Sequence, residues 1–261
     1  MKIANVRCIL SKLLKCYPNG GHALFRAIES YIVRRHFNKI YDEGMIVLDA
    51  GCGDGVFAHI TLDDFNISII GVDLYLNEIQ KAKRLDFYTH LILADLRSLP
   101  FRPNIFDAII CNSVLEHIPN YALALENMKS VLKNSSFLFI TTIAHNFEES
   151  FILPRILVTR TSRSNYLERT RRIYAHFHEF SVKEILEFLA PHFQIVKCWR
   201  IVPPLLVGAY DLLNKICFIF RSQKLCVHLT KLFSLLITML PLPLISEHGA
   251  DIFVICKKGR D

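Results

Sequence analysis

The stretch Val47-Leu48-Asp49-Ala50-Gly51-Cys52-Gly53-Asp54-Gly55 carries the most information about the fold of this chain. An apolar run ends in an acidic residue, and three glycines follow at alternating positions. Alternating glycines allow the backbone to turn sharply and a ligand to approach it closely. A helical pattern begins directly afterwards, at Val56. This order predicts a buried strand, a nucleotide-type cofactor turn and a helix whose first amide groups are free.

The spacing of the glycines distinguishes between kinds of cofactor. The dinucleotide fingerprint is Gly-x-Gly-x-x-Gly, in which the third glycine packs the helix against the strand. Gly51 and Gly53 fit that pattern, but Val56 stands at its third position and the third glycine comes one residue early, at Gly55. A nicotinamide oxidoreductase is therefore disfavoured. An ordinary glycine-rich turn is the remaining alternative, and the acidic residues further along the chain make it the weaker one.

Further apolar runs follow the glycine turn, and each of the next three ends in an acidic or polar side chain. Asp73 ends the first of them, about 20 residues past the turn, where a carboxylate would accept both ribose hydroxyl protons. The alternative for Asp73 is a solvated aspartate at a strand end. Because helical patterns such as Glu78–Tyr88 separate some of these runs, the alternation predicts a parallel, doubly wound sheet. The runs are Ile67–Asp73, His90–Asp95, Phe106–Asn112, Phe137–Thr142 and Phe193–Ile201.

Taken in order, these motifs resemble the class I S-adenosylmethionine-dependent methyltransferases. Leu99-Pro100-Phe101 matches the "LPF" turn of that family, and Ser113–Pro119 resembles the "VLEHI" segment of its methyltransferase type 11, ubiquinone-biosynthesis-like branch. His178–Ser181 resembles the family's "HEFS" entry to a late helix. The resemblance implies a Rossmann-like, seven-stranded sheet with six parallel strands and an antiparallel seventh, which Asp251–Lys257 would form. It also implies S-adenosylmethionine as the cofactor.

The same resemblance implies which residues bind that cofactor. The glycine turn would face the methionine part, Asp73 the ribose, and Asp95 the exocyclic amine of the adenine. Other residues of the set follow these acids or lie in the "VLEHI" segment. The whole set is Asp49, Gly51, Gly53, Gly55, Asp73, Leu74, Asp95, Leu96, Asn112, Glu116 and His117.

Methyl transfer from a sulfonium needs positioning more than acid–base chemistry, because the donor is already activated. A base is required only where the acceptor loses a proton on attack. The candidates are His117, His145 and His178, with His176 beside the last, since all lie on segments expected at the carboxyl ends of the strands. In the family the position of His117 often lines the cofactor pocket instead, and His178 has the alternative of capping the helix that starts at Ser181. No Cys/His cluster has metal-ligand spacing, so no metal site is predicted.

The outer parts of the chain are predicted to be helical additions to the cofactor-binding core over residues 45–201. Residues 1–44 form a helical cap in this prediction, with helices over Met1–Tyr17 and His22–Phe37, and residues 250–261 form the final strand and a basic tail. Within the core, the family builds its acceptor lid at the position of residues 144–180. The arginines of Thr159–Arg172 suit a carboxylate, a phosphate or a lipid headgroup. The alternative for that stretch is a solvated surface loop.

Residues 202–249 form a strongly apolar insertion before the last strand. A structureless loop of that length is uncommon in a compact domain, so helices are predicted over Ala209–Arg221 and Lys224–Leu240. The charge-free run Leu232–Ser246 is shorter than the ~20 residues that span a bilayer. A basic stripe beside a wide apolar face is typical of a helix at a membrane surface. Packing on the sheet and a homodimer interface are the alternatives.

Composition narrows the class of partner. The chain has 261 residues, a net charge of +7 and a mean hydropathy of +0.30. Basic charge suits nucleic acid or an anionic membrane, but no nucleic-acid-binding pattern is present, so nucleic acid is disfavoured. The eight cysteines include no CxxC pair. Four of them lie in or beside apolar runs and indicate buried free thiols in a reducing compartment, namely Cys52, Cys111, Cys198 and Cys256.

The resemblance and these patterns together predict a class I methyltransferase, either cytoplasmic or peripheral to the membrane surface, that acts on a small, apolar or lipid-linked acceptor. The alternative is a non-catalytic methyltransferase-like subunit, in which the apolar insertion is an interface with another protein. A homodimer is compatible with either prediction.

Overall fold

The computed structural model describes residues 3–17, 20–145, 147, 150–151, 164–166, 168, 177–220, 228–229, 232 and 245–259. The first helices are α1 (Ile3–Cys16) and α2 (Gly20–Phe37). The middle of the chain contains β1 (Ile46–Ala50), α3 (Val56–Leu62), β2 (Ser68–Asp73), α4 (Leu76–Lys83), β3 (His90–Leu93), β4 (Phe106–Asn112), α5 (Tyr121–Val131) and β5 (Leu132–Ile143). The last elements are α6 (Val182–Leu189), β6 (Gln194–Ile201), α7 (Pro204–Phe220) and β7 (Asp251–Lys257).

The seven strands form one sheet in the order β3-β2-β1-β4-β5-β7-β6, with six strands parallel and one antiparallel. Leu48 in β1 pairs with Ile70 in β2 and with Ile109 in β4. Val47, Leu48 and Ile109 are fully buried, as expected for central parallel strands covered on both faces. The predicted doubly wound, Rossmann-like fold class is confirmed.

The chain divides into two compact units. The sheet unit consists of Ile32–Ile143, Phe177–Trp199 and Ile252–Asp261. Its core contains the buried ring of Phe37, which lies edge-on to Phe65 at 5.1 Å and tilted to Phe139 at 6.2 Å. Of the four cysteines predicted to be buried free thiols, Cys52, Cys111 and Cys256 are buried, whereas Cys198 is only half-buried.

The helical unit consists of Met1–Tyr31, Ala144–His176 and Arg200–Asp251. Leu10 and Leu13 of α1 are buried, and Phe25 of α2 lies edge-on to Phe147 at 5.9 Å. The two ends of the apolar insertion meet, because the Ala250 amide donates to the Val202 carbonyl at 2.9 Å. The insertion therefore begins and ends at the same place in the helical unit.

Two element boundaries differ from the predicted ones, and the first of them matters for the site. Helix α4 was predicted to reach Tyr88, but it ends at Lys83, and Asp86 adopts a φ of 50° in the left-handed region that helices do not continue through. Tyr88 consequently lies in a loop. Strand β5 begins at Leu132, five residues before its predicted start. The sequence pattern does not indicate this first part of the strand, because it is a polar Lys-Asn-Ser-Ser stretch with a positive φ at Ser135.

In the insertion, α7 begins at Pro204, ahead of the predicted Ala209. Proline suits the first turn of a helix, since its missing amide has no partner there in any case. Most of the predicted helix Lys224–Leu240 and most of the arginine-rich stretch Thr159–Arg172 lie outside the described residues. Among the helices that are described, none has the length and apolar character needed to cross a bilayer.

Candidate cofactor site

The carboxyl ends of four parallel strands bring the predicted acids to one edge of the sheet. Asp73 is the last residue of β2 and Asn112 the last of β4, while Asp49 lies one residue before the end of β1. Asp95 follows β3 by two residues. Ala50 pairs with Val72 and Asp73 with Leu93, so these strand ends are adjacent in the sheet. Ligands of open α/β sheets bind at this edge.

The glycine turn has a backbone that other residues adopt only with strain. Gly51, Gly53 and Gly55 have φ values of 78°, 53° and 79°. The Gly51 and Cys52 amides both donate to the Val72 carbonyl, at 2.8 and 2.9 Å, which ties the turn to β2. A Cβ atom on Gly53 would meet no atom within 4 Å. The turn is thus fixed on its inner side and open beside Gly53, as a ligand-binding turn requires.

Asp73 is held in a defined orientation beside the turn. Its Oδ2 atom accepts from the Gly53 amide at 2.8 Å, and its Oδ1 atom accepts from the Tyr75 amide at 2.9 Å. Each carboxylate oxygen retains a second lone pair. The side chain therefore fits a ligand that presents two hydroxyl donors, such as a ribose diol.

Asp49 is buried, and its carboxyl group faces a tyrosine that the sequence patterns did not single out. The Tyr88 hydroxyl donates to Asp49 Oδ2 at 2.6 Å. Burial raises the pKa of Asp49 to about 7; the hydrogen bond from Tyr88 opposes that rise, and the Asp73 and Asp54 carboxylates add to it. The pattern of residues near Tyr88 contains no signal for this contact, because 39 positions separate the two residues.

Asp95 is paired with Arg97, which was also absent from the predicted set. The Arg97 Nη2 atom lies 2.6 Å from Asp95 Oδ2 and its Nε atom 3.0 Å from Oδ1. The hydrogen bonds from Arg97 lower the pKa of Asp95 and keep it ionised. Among the neighbouring apolar residues of the predicted set, Leu96 is buried and Leu74 is 54% exposed. A ligand amine would therefore approach Asp95 beside a guanidinium.

The "VLEHI" segment is joined to β5 and to the "HEFS" segment. The Glu116 carboxylate is buried and accepts from the Thr142 hydroxyl at 2.9 Å, while Asn112 Oδ1 accepts from the Thr141 hydroxyl at 2.7 Å. The Glu116 carbonyl accepts from the Phe177 and His178 amides at 2.8 and 3.2 Å. Two motifs that lie far apart in sequence therefore belong to one local structure.

The candidate bases have different surroundings. His178 is bound through Nε2 to the Pro119 carbonyl at 3.1 Å and lies edge-on to the Tyr121 ring at 5.0 Å. The N-terminus of α6 is capped by Ser181 and Glu184 and not by His178. His117 is exposed in the sheet unit and His145 is exposed in the helical unit. His176 lies outside the described residues.

A family model described as "Methyltransferase domain" matches residues 41–187, which include every element that contributes to this site. The chain belongs to the class I methyltransferases. S-adenosylmethionine is the cofactor of this family. The open glycine turn and the oriented Asp73 carboxylate of this chain fit such a ligand.

Two curated relatives and one solved structure are similar to this chain. An uncharacterized protein of Methanocaldococcus jannaschii is 37% identical over 130 residues, which are 50% of this chain and 53% of that protein. A ubiquinone biosynthesis O-methyltransferase of Xylella fastidiosa is 33% identical over 134 residues, which are 48% and 53% of the two chains. The chain thus spans about half the length of the curated relatives it matches.

The solved structure is phosphoethanolamine N-methyltransferase 2 of Haemonchus contortus in complex with S-adenosyl-L-methionine. It superposes with a TM-score of 0.58 at 17% identity, covering 89% of this chain and 52% of that one. At this identity the likeness shows that the two proteins share a fold.

Proposed function

We propose that this chain transfers the methyl group of S-adenosylmethionine to a small acceptor that is apolar or linked to a lipid. The observation that carries the proposal is the Asp73 carboxylate, which two backbone amides orient beside a glycine turn with open space at Gly53. Such an arrangement suits a ligand with a ribose diol and no phosphate to hold. The family match over residues 41–187 supplies the class of reaction.

The residues of the sheet edge have distinct tasks in this proposal. Asp73 binds the ribose hydroxyls, and Gly51, Gly53 and Gly55 allow the backbone to approach the methionine part. Asp95 and Leu74 contact the adenine, with Asn112, Glu116 and His117 completing the walls. The bound cofactor supplies a methyl group on a sulfonium, which is already activated for displacement. The protein's contribution is therefore to hold donor and acceptor in line and to exclude water.

Among the candidate bases, the surroundings of His178 define which nitrogen would accept a proton. A carbonyl oxygen only accepts hydrogen bonds, so His178 Nε2 carries a hydrogen toward Pro119 and Nδ1 is the basic nitrogen of the neutral ring. An acceptor is first found by screening membrane lipid extracts against labelled donor. Turnover of that acceptor by the His117→Ala, His145→Ala and His178→Ala variants then decides between the three histidines. A variant with unchanged turnover shows that the histidine it replaces is not the base.

Calorimetry tests the cofactor half of the proposal. The purified protein is expected to bind S-adenosylmethionine and S-adenosylhomocysteine, which present the same ribose and adenine, and not to bind NADH. NADH is not expected to fit this glycine turn, because Val56 replaces the third glycine of the dinucleotide fingerprint. Binding of NADH alone would overturn the proposal. Binding of S-adenosylhomocysteine without methyl transfer to any extract would instead favour the non-catalytic subunit.

An apolar surface on the helical unit supports the lipid-linked acceptor and contact with a membrane surface. Leu205 and Leu212, 56% and 42% exposed, are seven residues apart on α7 and so share one face of that helix. Leu232 and Ile245 of the insertion are also exposed, at 56% and 39%. The name of the Xylella fastidiosa relative, ubiquinone biosynthesis O-methyltransferase, is compatible with an acceptor of this chemistry.

The predicted acceptor lid is the second part of this proposal. In the helical unit, the Tyr166 hydroxyl donates to the carboxylate of Asp211, a buried residue of α7. One described residue of the 144–180 segment is thereby bound to the apolar insertion. We therefore extend the proposal to an acceptor site that is bounded by the lid and by α7.

Co-sedimentation with vesicles of phosphatidylcholine and phosphatidylglycerol tests the membrane contact. The wild-type protein is expected to pellet with anionic vesicles, because its net charge of +7 and the exposed leucines of α7 both favour that surface. The Leu205→Ser/Leu212→Ser variant is expected to stay in the supernatant. Leu123→Ser, which replaces a 40% exposed leucine of α5, is the matched control and should pellet like wild type.

Equal recovery of the wild-type protein in the supernatant with and without vesicles would contradict the membrane contact. Sedimentation velocity without vesicles provides the second comparison. A dimer that the Leu205→Ser/Leu212→Ser variant dissociates would assign the apolar face to a second copy of the chain.

A further inference from the structure

The ring of Tyr88 fills the space between the glycine turn and β2. A Cβ atom added to Gly55 would lie 2.8 Å from Tyr88 Cε2, and one added to Gly71 would lie 2.8 Å from Tyr88 Cε1. Opposite edges of one ring therefore pack against a glycine of the turn and a glycine of the neighbouring strand. Any larger residue at either position would displace the ring, because protein interiors have no spare volume of that size.

The hydroxyl of Tyr88 reaches a third element. It donates to Asp49 Oδ2 at 2.6 Å, near the end of β1, where the turn begins. Burial and the neighbouring Asp49 carboxyl raise the pKa of Tyr88 well above its usual value, so the hydroxyl keeps its proton and remains a donor. One side chain thus contacts β1, β2 and the last glycine of the turn.

We propose that Tyr88 is a positioning residue for the methyl donor: its ring supports the Gly51–Gly55 turn and its hydroxyl orients the Asp49 carboxyl at the start of that turn. The proposal rests on the proposed function for the identity of the ligand. Tyr88 acts through the turn and through Asp49, and takes no part in the chemical step. It extends the cofactor site to the loop between α4 and β3, which contains none of the acids or glycines of the motif.

The buried Asp49 carboxyl, whose pKa burial raises to about 7, makes cofactor affinity dependent on pH in a specific way. The groups that face Asp49 are the Tyr88 hydroxyl, the Asp54 and Asp73 carboxylates and the Cys52 and Cys111 thiols, with no cation among those identified. Positive charge on the ligand favours the ionised form of Asp49, so affinity should rise with pH through about 7. S-adenosylmethionine carries one positive charge more than S-adenosylhomocysteine, and its affinity should rise more steeply.

Three variants separate the roles of ring and hydroxyl. Tyr88→Phe keeps the ring and loses the donor, so the dissociation constant of S-adenosylhomocysteine at pH 7 should rise about tenfold. Its pH midpoint should also move upward, because Asp49 loses the hydrogen bond that favours its ionised form. Tyr88→Leu loses both and should weaken binding further. Phe87→Leu, a change to the neighbouring ring 5.2 Å away, is the matched control and should alter affinity less than about twofold.

Calorimetry from pH 5.5 to 8.5 measures affinity, and amide hydrogen exchange of Gly53 and Gly55 in the ligand-free protein measures the support of the turn directly. Tyr88→Leu should accelerate that exchange and Phe87→Leu should not. Equal effects of Tyr88→Leu and Phe87→Leu on affinity and exchange would overturn the role of Tyr88, as would a Tyr88→Phe variant with unchanged affinity and pH midpoint. Absence of binding by the wild type at every pH would overturn the proposed function, and accelerated exchange would then still support the contact of Tyr88 with the turn.

Discussion

Replacement of Asp73 by alanine is expected to reduce the affinity for S-adenosylhomocysteine by at least about 100-fold. The carboxylate is fixed by the Gly53 and Tyr75 amides, so it meets the ligand without reorganisation. Hydrogen bonds to a charged acceptor contribute roughly 1.5–3 kcal/mol each, and two ribose hydroxyls would donate to this one. Alanine also leaves the Gly53 amide without its acceptor, which loosens the turn.

The control for this experiment is a second aspartate with comparable bonding at the opposite end of the strands. Asp107, near the start of β4, accepts from the Ile46 amide at 2.9 Å and from the Lys133 ammonium at 2.6 Å. Asp107→Ala is expected to lower the free energy of unfolding while leaving the affinity of the folded protein close to that of wild type. Urea unfolding measures the first effect, and calorimetry on the folded fraction measures the affinity. An Asp73→Ala variant with wild-type affinity would refute the assignment of the ribose to this carboxylate.

Gly51→Ala is expected to have the largest effect among substitutions in the turn. At a φ of 78° any residue with a Cβ atom pays about 1–2 kcal/mol, and here that atom would lie 2.5 Å from Val114 Cγ2. Overpacking of this kind costs a further 1–3 kcal/mol or so, giving a loss of roughly 3 kcal/mol in the free energy of unfolding. Binding of S-adenosylhomocysteine should fall with it, because the clash displaces the turn from the Val72 carbonyl.

Gly44 offers a matched comparison, since its φ is also 78° but no atom lies within 4 Å of the position of an added Cβ. Gly44→Ala should therefore cost only the backbone term, about 1 kcal/mol, and leave binding intact. Adding Val114→Ala to Gly51→Ala should recover part of the lost stability. Urea unfolding and calorimetry measure the two effects. Equal losses in Gly44→Ala and Gly51→Ala would show that the contact with Val114 is unimportant.

Much of the fold and of the site follows from local patterns. The apolar runs of β1, β2 and β4 predict buried parallel strands, and parallel strands necessarily end at one edge, so Asp49, Asp73 and Asn112 were expected to be adjacent. The spacing of Gly51, Gly53 and Gly55 predicts a sharp turn, and it disfavours the dinucleotide pattern. Strand and turn patterns depend on residues a few positions apart, and they can therefore be recognised in the sequence.

The partners of these side chains could not be predicted in the same way. Tyr88 contacts Asp49 across 39 positions, and Thr142 contacts Glu116 across 26, in each case because separate elements pack against each other. The pattern around Tyr88 even favoured a helix, which the left-handed backbone at Asp86 ends early.

The glycine turn that predicts the methyl-donor site consists of consecutive residues, whereas the residues that support it are distant in sequence. The conformations open to the backbone at Gly51–Gly55 depend on the covalent geometry of each residue. The preference of each residue type is the same in any protein, so the turn can be predicted from the sequence. The orientation of Asp49, the support of Gly55 by Tyr88 and the pairing of Asp95 with Arg97 depend on which side chains meet after folding. Hydrogen bonds and packing act over a few ångströms in space, and only the folded chain brings those atoms within that range.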